Sequence, residues 1–408
     1  MQVETSSAHS DDLLHGAELR KLSQPDRNLA TALVMGVLRW QIALDAELSK
    51  LLDRPDQPLP DEIVIALRMG AFQLRHMDRI PPHAALSESV ELMRSAGHPK
   101  AAGLVNAVLR KFSAKPAPGK PIVESVDALA KRLAHPAWML RRWDSFYGRE
   151  AALALCDYDQ HEPTRGELFA HDQIAEGVDS NLIDDGSRLI AELAAASHPS
   201  PNRIWDACAA PGGKTAVLAR RHPAAELLAT DISARRLQSM RRRLENEFPD
   251  REIRTLEADA AQLSPSEGNF DLILCDVPCS GTGTLARNPE IRHRLQPSEF
   301  ERQATRQREI LGAALKRLRP AGRLLYSTCS LEPEENEEVV KSVLAQADAQ
   351  KLRMIPIAAL LEQLRAASII RDDADHLKHL VRGETLRTLP GANFQGDGFF
   401  AAAFAREA

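Results

Sequence analysis

Residues 203–215 read Arg-Ile-Trp-Asp-Ala-Cys-Ala-Ala-Pro-Gly-Gly-Lys-Thr. An apolar, β-favouring start runs into Asp206. A tight turn follows at Pro211-Gly212-Gly213, and a helix-forming run continues from Lys214 to Arg220. A strand that passes through a glycine turn into a helix N-terminus is a cradle for a nucleotide-like ligand. Two familiar ligand classes do not match it. A Walker A loop needs a glycine five residues before its Gly-Lys pair, and Cys208 stands there. The glycine spacing of a dinucleotide fingerprint is absent too.

From about residue 191 the chain alternates strands with longer helices, which predicts a doubly wound sheet. Glu226–Asp231, Ile253–Asp259, Asn269–Asp276 and Gly322–Cys329 are the following strands. Asp206, Asp231 and Asp259 each close one of three successive strands, and open sheets bind ligands at those carboxyl ends. An acid after the second strand can accept both ribose hydroxyls of an adenosine-containing ligand. Asp231 fits that role, or it caps the next helix. Arg235, Arg236, Arg241, Arg242 and Arg243 on that helix form either an RNA-facing surface or a solvated face. Cys275 should point opposite to Asp276 and pack in the core. Cys279 and Cys329 instead follow strand ends, in Val277-Pro-Cys-Ser-Gly-Thr-Gly-Thr284 and Ser327-Thr-Cys-Ser330. A last strand, 399–404, is expected antiparallel at the sheet edge, after a turn at Asp397-Gly398.

Taken together, these motifs resemble the RNA cytosine-C5 methyltransferases. The N-terminal part resembles the NusB-like domain of the bacterial 16S ribosomal RNA members. It does so through Asp26-Arg27, Gly36-Val-Leu-Arg-Trp40, Leu67–Leu74, Ile80-Pro-Pro-His-Ala84 and Gly103–Lys111. The resemblance implies an all-α NusB-like bundle followed by an α/β, Rossmann-like, class I S-adenosylmethionine-dependent methyltransferase domain. It implies S-adenosyl-L-methionine as cofactor. Asp206, Cys208, Ala209, Ala210, Pro211, Gly212, Gly213, Lys214, Asp231, Arg236, Asp259 and Asp276 would line the cofactor site, with Asp259 beside the adenine amino group. Cytosine C5 is a poor nucleophile until a thiolate adds at C6, which is covalent catalysis by an activated cysteine. The resemblance assigns that attack to Cys329. Cys279 would assist proton removal or release, Asp276 would hold the base, and Lys214 would help near the base or the cofactor carboxylate. The segment Arg287-Asn-Pro-Glu-Ile-Arg292 matches one that borders the base entrance in the family.

The implied division is a NusB-like RNA-binding domain at 1–125, a linker with a shortened intermediate subdomain at 126–190, and the methyltransferase domain at 191–408. Four helices are predicted in the first part, at about 26–50, 61–76 and 84–95 and around Asn106–Arg110. Leu29, Leu33, Val37 and Leu38 should form one inward stripe, and Ile63, Ile65, Ala66 and Met69 another. Arg39, Arg110 and Lys111 are candidate phosphate contacts. Residues 112–125, with three prolines and one glycine, read as a linker. Trp138 and Trp143 suit aromatic packing at a domain junction better than base stacking. The segment after His161-Glu-Pro-Thr-Arg165 is a few dozen residues shorter than the family's small mixed subdomain, which leaves the RNA target open.

At 408 residues the chain has room for two or three domains. Five scattered cysteines suit a reducing cytoplasm, and no ligand spacing suggests a metal. No apolar run is expected to approach membrane-spanning length. The net charge of −5 argues against indiscriminate DNA coating but not against RNA bound through local arginines. The expected activity is methylation of a cytosine in RNA, namely small-subunit ribosomal RNA, by a cytoplasmic monomer. The alternatives are the same chemistry on transfer RNA or another RNA, or a non-catalytic ribosome assembly factor.

Overall fold

The computed structural model describes residues 10–14, 16–116, 119, 124–163, 168–169, 183–345, 351–371 and 375–407. The chain divides into two compact units, Met1–Glu162 with Leu285–Arg294, and Pro163–Thr284 with Leu295–Ala408.

The first unit is helical. Its main helices are α1 (Gln24–Leu48), α2 (Asp61–His76), α3 (Pro82–Ser95), α4 (Ala102–Ser113), α5 (Val126–Arg132), α6 (Ala137–Tyr147) and α7 (Arg149–Tyr158). Ser23 caps α1 by accepting from the Asp26 amide, and Pro25 sits in the first turn, where its missing N–H costs nothing. The bundle core is built from Leu44, Leu48, Ile63, Ala66, Leu67, Val105, Val108, Leu109 and Phe112. The predicted stripe on α1 needs correcting. Leu38 is buried and Leu33 and Val37 pack against the core, but Leu29 is exposed, and the buried face continues through Gly36, Leu44 and Leu48. Ile65 and Met69 are half-buried, and Leu67 takes the inward place. Helix residues Gln24–Leu51 also have the length and hydropathy of a membrane span, against expectation. Here the apolar face of that helix lies on α2, fixed by a two-pronged bond from Arg68 to Asp45 at 2.7 Å on each prong.

Residues 126–158 join this helical unit rather than standing apart, while α8 (Asp185–Ser197), which the boundary at 190 would cut, belongs wholly to the second unit. The shortened subdomain falls mostly on 164–167 and 170–182, outside the described residues. Trp143 is fully buried and meets His135 edge-on, so it packs. Segment 285–294 is seated in the helical unit too. Arg292 is buried and donates to the backbone carbonyls of Arg39, Ala134 and Asp159. Arg39 donates to the Ala286 carbonyl at 2.8 Å. Both arginines thus bind backbone rather than facing RNA.

The second unit is a nine-stranded sheet in the order β3-β2-β1-β4-β5-β9-β8-β7, with β6 beside β9. Its strands are β1 (Arg203–Asp206), β2 (Glu226–Asp231), β3 (Arg254–Glu257), β4 (Phe270–Asp276), β5 (Leu318–Thr328), β6 (Leu352–Ile355), β7 (Val381–Arg382), β8 (Thr385–Arg387) and β9 (Phe400–Arg406). The first five are parallel, and β9 runs antiparallel to β5. That last strand is internal, not at the edge. β8 covers the start of its far side and β6 the end. The expected turn at Asp397-Gly398 lies earlier, at 391–393, where Gly391 has φ 70°.

Alternation along the strands sorts the core onto two faces. Ile204, Leu272, Leu274, Ala401 and Ala403 face α8, α9 (Gly213–Arg221), α10 (Ala234–Glu247) and α13 (Ile357–Ala366). Trp205, Ile273, Cys275, Phe400 and Phe404 face α11 (Ser298–Lys316) and α12 (Glu337–Leu344). Strand order reverses between β1 and β4, and the carboxyl ends on either side of that point carry Asp206 and Asp276.

Candidate active site

The glycine turn is built for close approach. Gly212 has φ 92°, and a Cβ there would lie 2.6 Å from Met240 Cγ and 3.0 Å from Arg243 Nη2. The turn delivers the chain into α9, whose first turn has no side-chain cap. Its N–H groups are therefore open to an anionic ligand. Lys214 lies in that same turn, where a cation opposes the helix dipole. Its position makes sense through Asp276, whose Oδ2 is 2.7 Å from Lys214 Nζ. Burial works against the lysine's charge, but the Asp276 carboxylate outweighs it and holds the pKa above its ordinary value. Ser187 accepts from Lys214 at 3.1 Å, and the Phe399 ring lies 5.2 Å from Nζ. Ser327 donates to Asp276 Oδ1 at 2.8 Å. Asp276 is thereby held from two sides with part of its surface exposed.

The two motif cysteines meet. Cys279 Sγ lies 3.2 Å from Cys329 Sγ, although fifty residues separate them in the chain. Each is half-buried, at the carboxyl end of β4 and β5 respectively. The contact with Cys329, followed by burial, pushes the Cys279 thiol well above its usual range. Gly283 and Gly398 allow the Cys279 loop to lie against the lead into β9. The Gly398 amide donates to the Gly283 carbonyl at 2.7 Å, and a Cβ on Gly283 would fall 2.3 Å from the Gly398 oxygen.

The acids at the strand ends differ in their surroundings. Asp206 is fully enclosed and accepts from Thr215 Oγ1 at 2.6 Å. Burial, only partly offset by that bond, raises its pKa to about 7. Asp231 accepts from the amides of Ala210 at 3.2 Å and Ser233 at 2.9 Å, and Arg236 lies 3.6 Å away. The helix cap of α10 is Ser233, not Asp231. Arg236 also donates to the Ala210 carbonyl. Asp259 Oδ1 accepts from Ala261 N and from Arg306. Burial raises the Asp259 pKa, but the Arg306 bond outweighs it and leaves the carboxyl below its ordinary range.

Cys208 is half-buried against the α11 side of the sheet, and Cys275 is wholly buried. Burial pushes both thiols up, away from the thiolate form. Ala209 and Ala210 are buried in the turn, and Pro211 is exposed at its tip. Sequence reasoning missed Thr215, Ser327, Arg306 and Ile232. Ile232 leaves 67% of its surface exposed directly after Asp231. Thr215 and Ser327 lie inside recognised motifs, whereas nothing in the sequence marks Arg306.

The description "16S rRNA methyltransferase RsmB/F" matches residues 194–405, and "NusB family" matches residues 1–114. The chain belongs to the 16S rRNA methyltransferase RsmB/F family. It is 33% identical to ribosomal RNA small subunit methyltransferase B of Xanthomonas campestris pv. campestris, across 82% of this chain and 83% of that protein. Against the Pseudomonas putida protein of the same name the identity is 30%, across 88% and 90%. Among solved structures, "Crystal Structure of PH0851" shares the fold at TM-score 0.67 and 20% identity, covering 95% of this chain and 91% of that one. A methyltransferase homologue from Pyrococcus horikoshii gives 0.51 at 20% identity, covering 70% and 100%. Membership in the RsmB/F family makes this chain an S-adenosylmethionine-dependent RNA methyltransferase with an N-terminal NusB domain.

Proposed function

We propose that this enzyme methylates C5 of a cytosine in small-subunit ribosomal RNA and that Cys329 forms the covalent bond to cytosine C6. The observation that carries this reading is the convergence of Cys279, Cys329, Asp276 and Lys214 at one end of the sheet. The residues present fit S-adenosylmethionine. A carboxylate offers about four lone-pair directions, and two of those on Asp231 are used by amides. The remaining two suit the ribose hydroxyls. The partners of Asp259 gather on Oδ1, which leaves Oδ2 for the adenine amino group. Exposed Ile232 offers the flat base an apolar surface, and the uncapped first turn of α9 suits the cofactor's carboxylate. Asp206, bonded to Thr215, shapes the turn from behind rather than touching ligand. When bound, the cofactor supplies an electrophilic methyl group on a sulfonium.

The chain's own groups do the rest. The Cys329 thiolate adds to C6, and the electron pair moves to C5. Asp276 accepts from the cytosine amino group, and its bond to Lys214 keeps a cation beside the charge that builds on the ring. After C5 is alkylated its proton leaves to a base, the C5–C6 double bond re-forms, and the C6–S bond breaks to restore the Cys329 thiolate, with the Cys279 thiol placed to hydrogen-bond the departing sulfur. Arg110 and Lys111 in the helical unit, and Arg235 and Arg242 on α10, suit the RNA backbone, while Arg236 is engaged at the cofactor turn through the Ala210 carbonyl. Arg241 bonds Thr255, and half-buried Arg243 packs against the Gly212 turn. A working pair of thiols this close requires a reducing compartment, which suits a cytoplasmic enzyme.

The test is methyl transfer from labelled cofactor to small-subunit RNA isolated from a strain lacking this gene, with the modified base mapped. Cys329→Ala should abolish turnover. Cys279→Ala should accumulate a protein–RNA adduct resistant to denaturing gels. Full turnover by Cys329→Ala would sink the covalent assignment, and label found in transfer RNA alone would sink the substrate.

A further inference from the structure

Three residues beyond Cys329, the motif Glu332-Pro-Glu-Glu-Asn336 turns back through a short helical turn at Pro333–Glu335. Glu335 is fully buried. Its Oε2 accepts from the Ser280 amide at 2.9 Å and from Gln307 Nε2 at 2.8 Å, and its Oε1 accepts from Ser330 Oγ at 2.7 Å. Ser280 follows Cys279 in the chain, and Ser330 follows Cys329. The two serine hydroxyls also meet, at 3.0 Å. Gln307 donates from the same nitrogen to the Pro278 carbonyl at 2.9 Å, on the other side of Cys279. Asn336 holds the Cys329 loop from its outer side, accepting from Thr328 Oγ1 at 2.5 Å and donating to the Ser330 carbonyl at 2.8 Å.

A buried carboxylate is costly unless it is paired or fully bonded. Among the described residues Glu335 has no cationic partner, yet it ties together two loops from different strands. Burial raises the Glu335 pKa above its ordinary value, and the bonds from Ser280, Ser330 and Gln307 work against that rise. Both donors on Oε2 are N–H groups that cannot reverse, so the geometry selects a carboxylate acceptor there. We propose that Glu335 is a positioning residue for the cysteine pair. Its carboxylate fastens the residue after Cys279 to the residue after Cys329, and its negative charge keeps the pair's proton on Cys279. The division of labour follows from that placement. A carboxylate beside Cys279 disfavours a second anion there. Cys279 then remains the S–H that donates across 3.2 Å, and Cys329 is the sulfur left to carry the thiolate. The rise in the Cys279 pKa, to which Glu335 contributes after Cys329 and burial, agrees with this.

The inference rests on Cys329 being the attacking group, but its test does not use methyl transfer. Full-length protein and its Glu335→Gln variant are alkylated with iodoacetamide at one neutral pH without RNA, and labelling at each cysteine is read by peptide mass spectrometry. A second set is treated with diamide, which oxidises the two thiols to a disulfide and is itself reduced to a hydrazine. Wild-type protein should label Cys329 ahead of Cys279 and crosslink the pair readily. Glu335→Gln should raise Cys279 labelling relative to Cys329 about tenfold, the thiolate gain from one pKa unit, and should slow crosslinking. Ser330→Ala, which keeps the charge but removes one tie, should slow crosslinking and shift the labelling ratio less. Thermal unfolding shows whether each variant is folded. If Glu335→Gln is not, Ser330→Ala carries the test alone through its crosslinking rate. Unchanged ratio and crosslinking in the folded variants overturns the proposal. A changed ratio together with an active Cys329→Ala would instead overturn the assignment of the nucleophile and leave the positioning role standing.

Discussion

Asp206 sits on the border between architecture and chemistry. Its carboxyl is enclosed, bonded to Thr215, and has a pKa lifted to about 7 by burial. In the unfolded chain it returns to its ordinary 3.8. Between those values the native state holds a proton that the unfolded state has lost, so the slope of stability against pH is negative. The group's contribution is complete below about pH 4 and is lost as pH rises through about 7. Asp206→Asn removes that loss by fixing a neutral group. The unfolding free energy of the variant relative to wild type should therefore rise between pH 4 and 7.5, by at most about 4 kcal/mol for some three pKa units. Urea titrations at several pH values measure it, and a constant difference across the range would show that Asp206 does not take up the proton. Lys214 is the complementary case, a charge kept charged, because Asp276 repays its burial and its unfavourable place on the helix dipole.

At the scale of elements, the strand–turn–helix unit was legible because its constraints are local. Gly212 needs its left-handed φ, Ile204 and Trp205 alternate faces, and Asp206 and Asp231 close their strands where the sequence puts them. The third strand is shorter than its pattern suggests: it ends at Glu257, and Asp259 caps the short helical turn that follows. Gly212→Ala should consequently be costly on two counts. Its φ of 92° is strained for alanine, and the new methyl would press on Met240. We expect a loss of about 1–3 kcal/mol in stability and at least a tenfold loss of cofactor affinity, measured by calorimetric titration of the folded variant. Unaltered affinity would mean that the turn does not shape the ligand site. What the sequence could not disclose are partnerships set by tertiary placement. Arg306 reaches Asp259 from a helix 47 residues later. β9 lies inside the sheet because β6, β7 and β8, each four residues or fewer, pair on from it. Strands that short carry no readable periodicity. The exposed Leu29 shows the opposite failure, the first position of an apolar stripe that the bundle uses only from Leu33 onward.

Across the whole molecule, the catalytic chain is not confined to one unit. It leaves after Thr284, places Leu285–Arg294 within the helical unit, and returns at Leu295. A sequence reading naturally divides such a chain into consecutive blocks, whereas Leu285–Arg294 packs with the helices. The buried contacts of Arg292 give the excursion its anchor. Three carbonyls, of Arg39, Ala134 and Asp159, accept from one guanidinium, and Glu290 accepts from Ser10 Oγ at 2.9 Å nearby. Removing the guanidinium leaves those carbonyls buried and short of a donor, at about 1–3 kcal/mol for each group left unsatisfied. Water entering the space would recover part of that. Arg292→Ala should therefore lower the thermal midpoint of the helical unit by several degrees. In hydrogen-exchange mass spectrometry, peptides spanning 285–294 should lose protection along with the segments around Arg39, Ala134 and Asp159. Strands β1, β4 and β5 should keep theirs, because their core contains none of these groups. Equal loss of protection in those strands would show that the anchor stabilises the sheet as a whole. Protection retained at 285–294 would show that the segment is held by something other than Arg292.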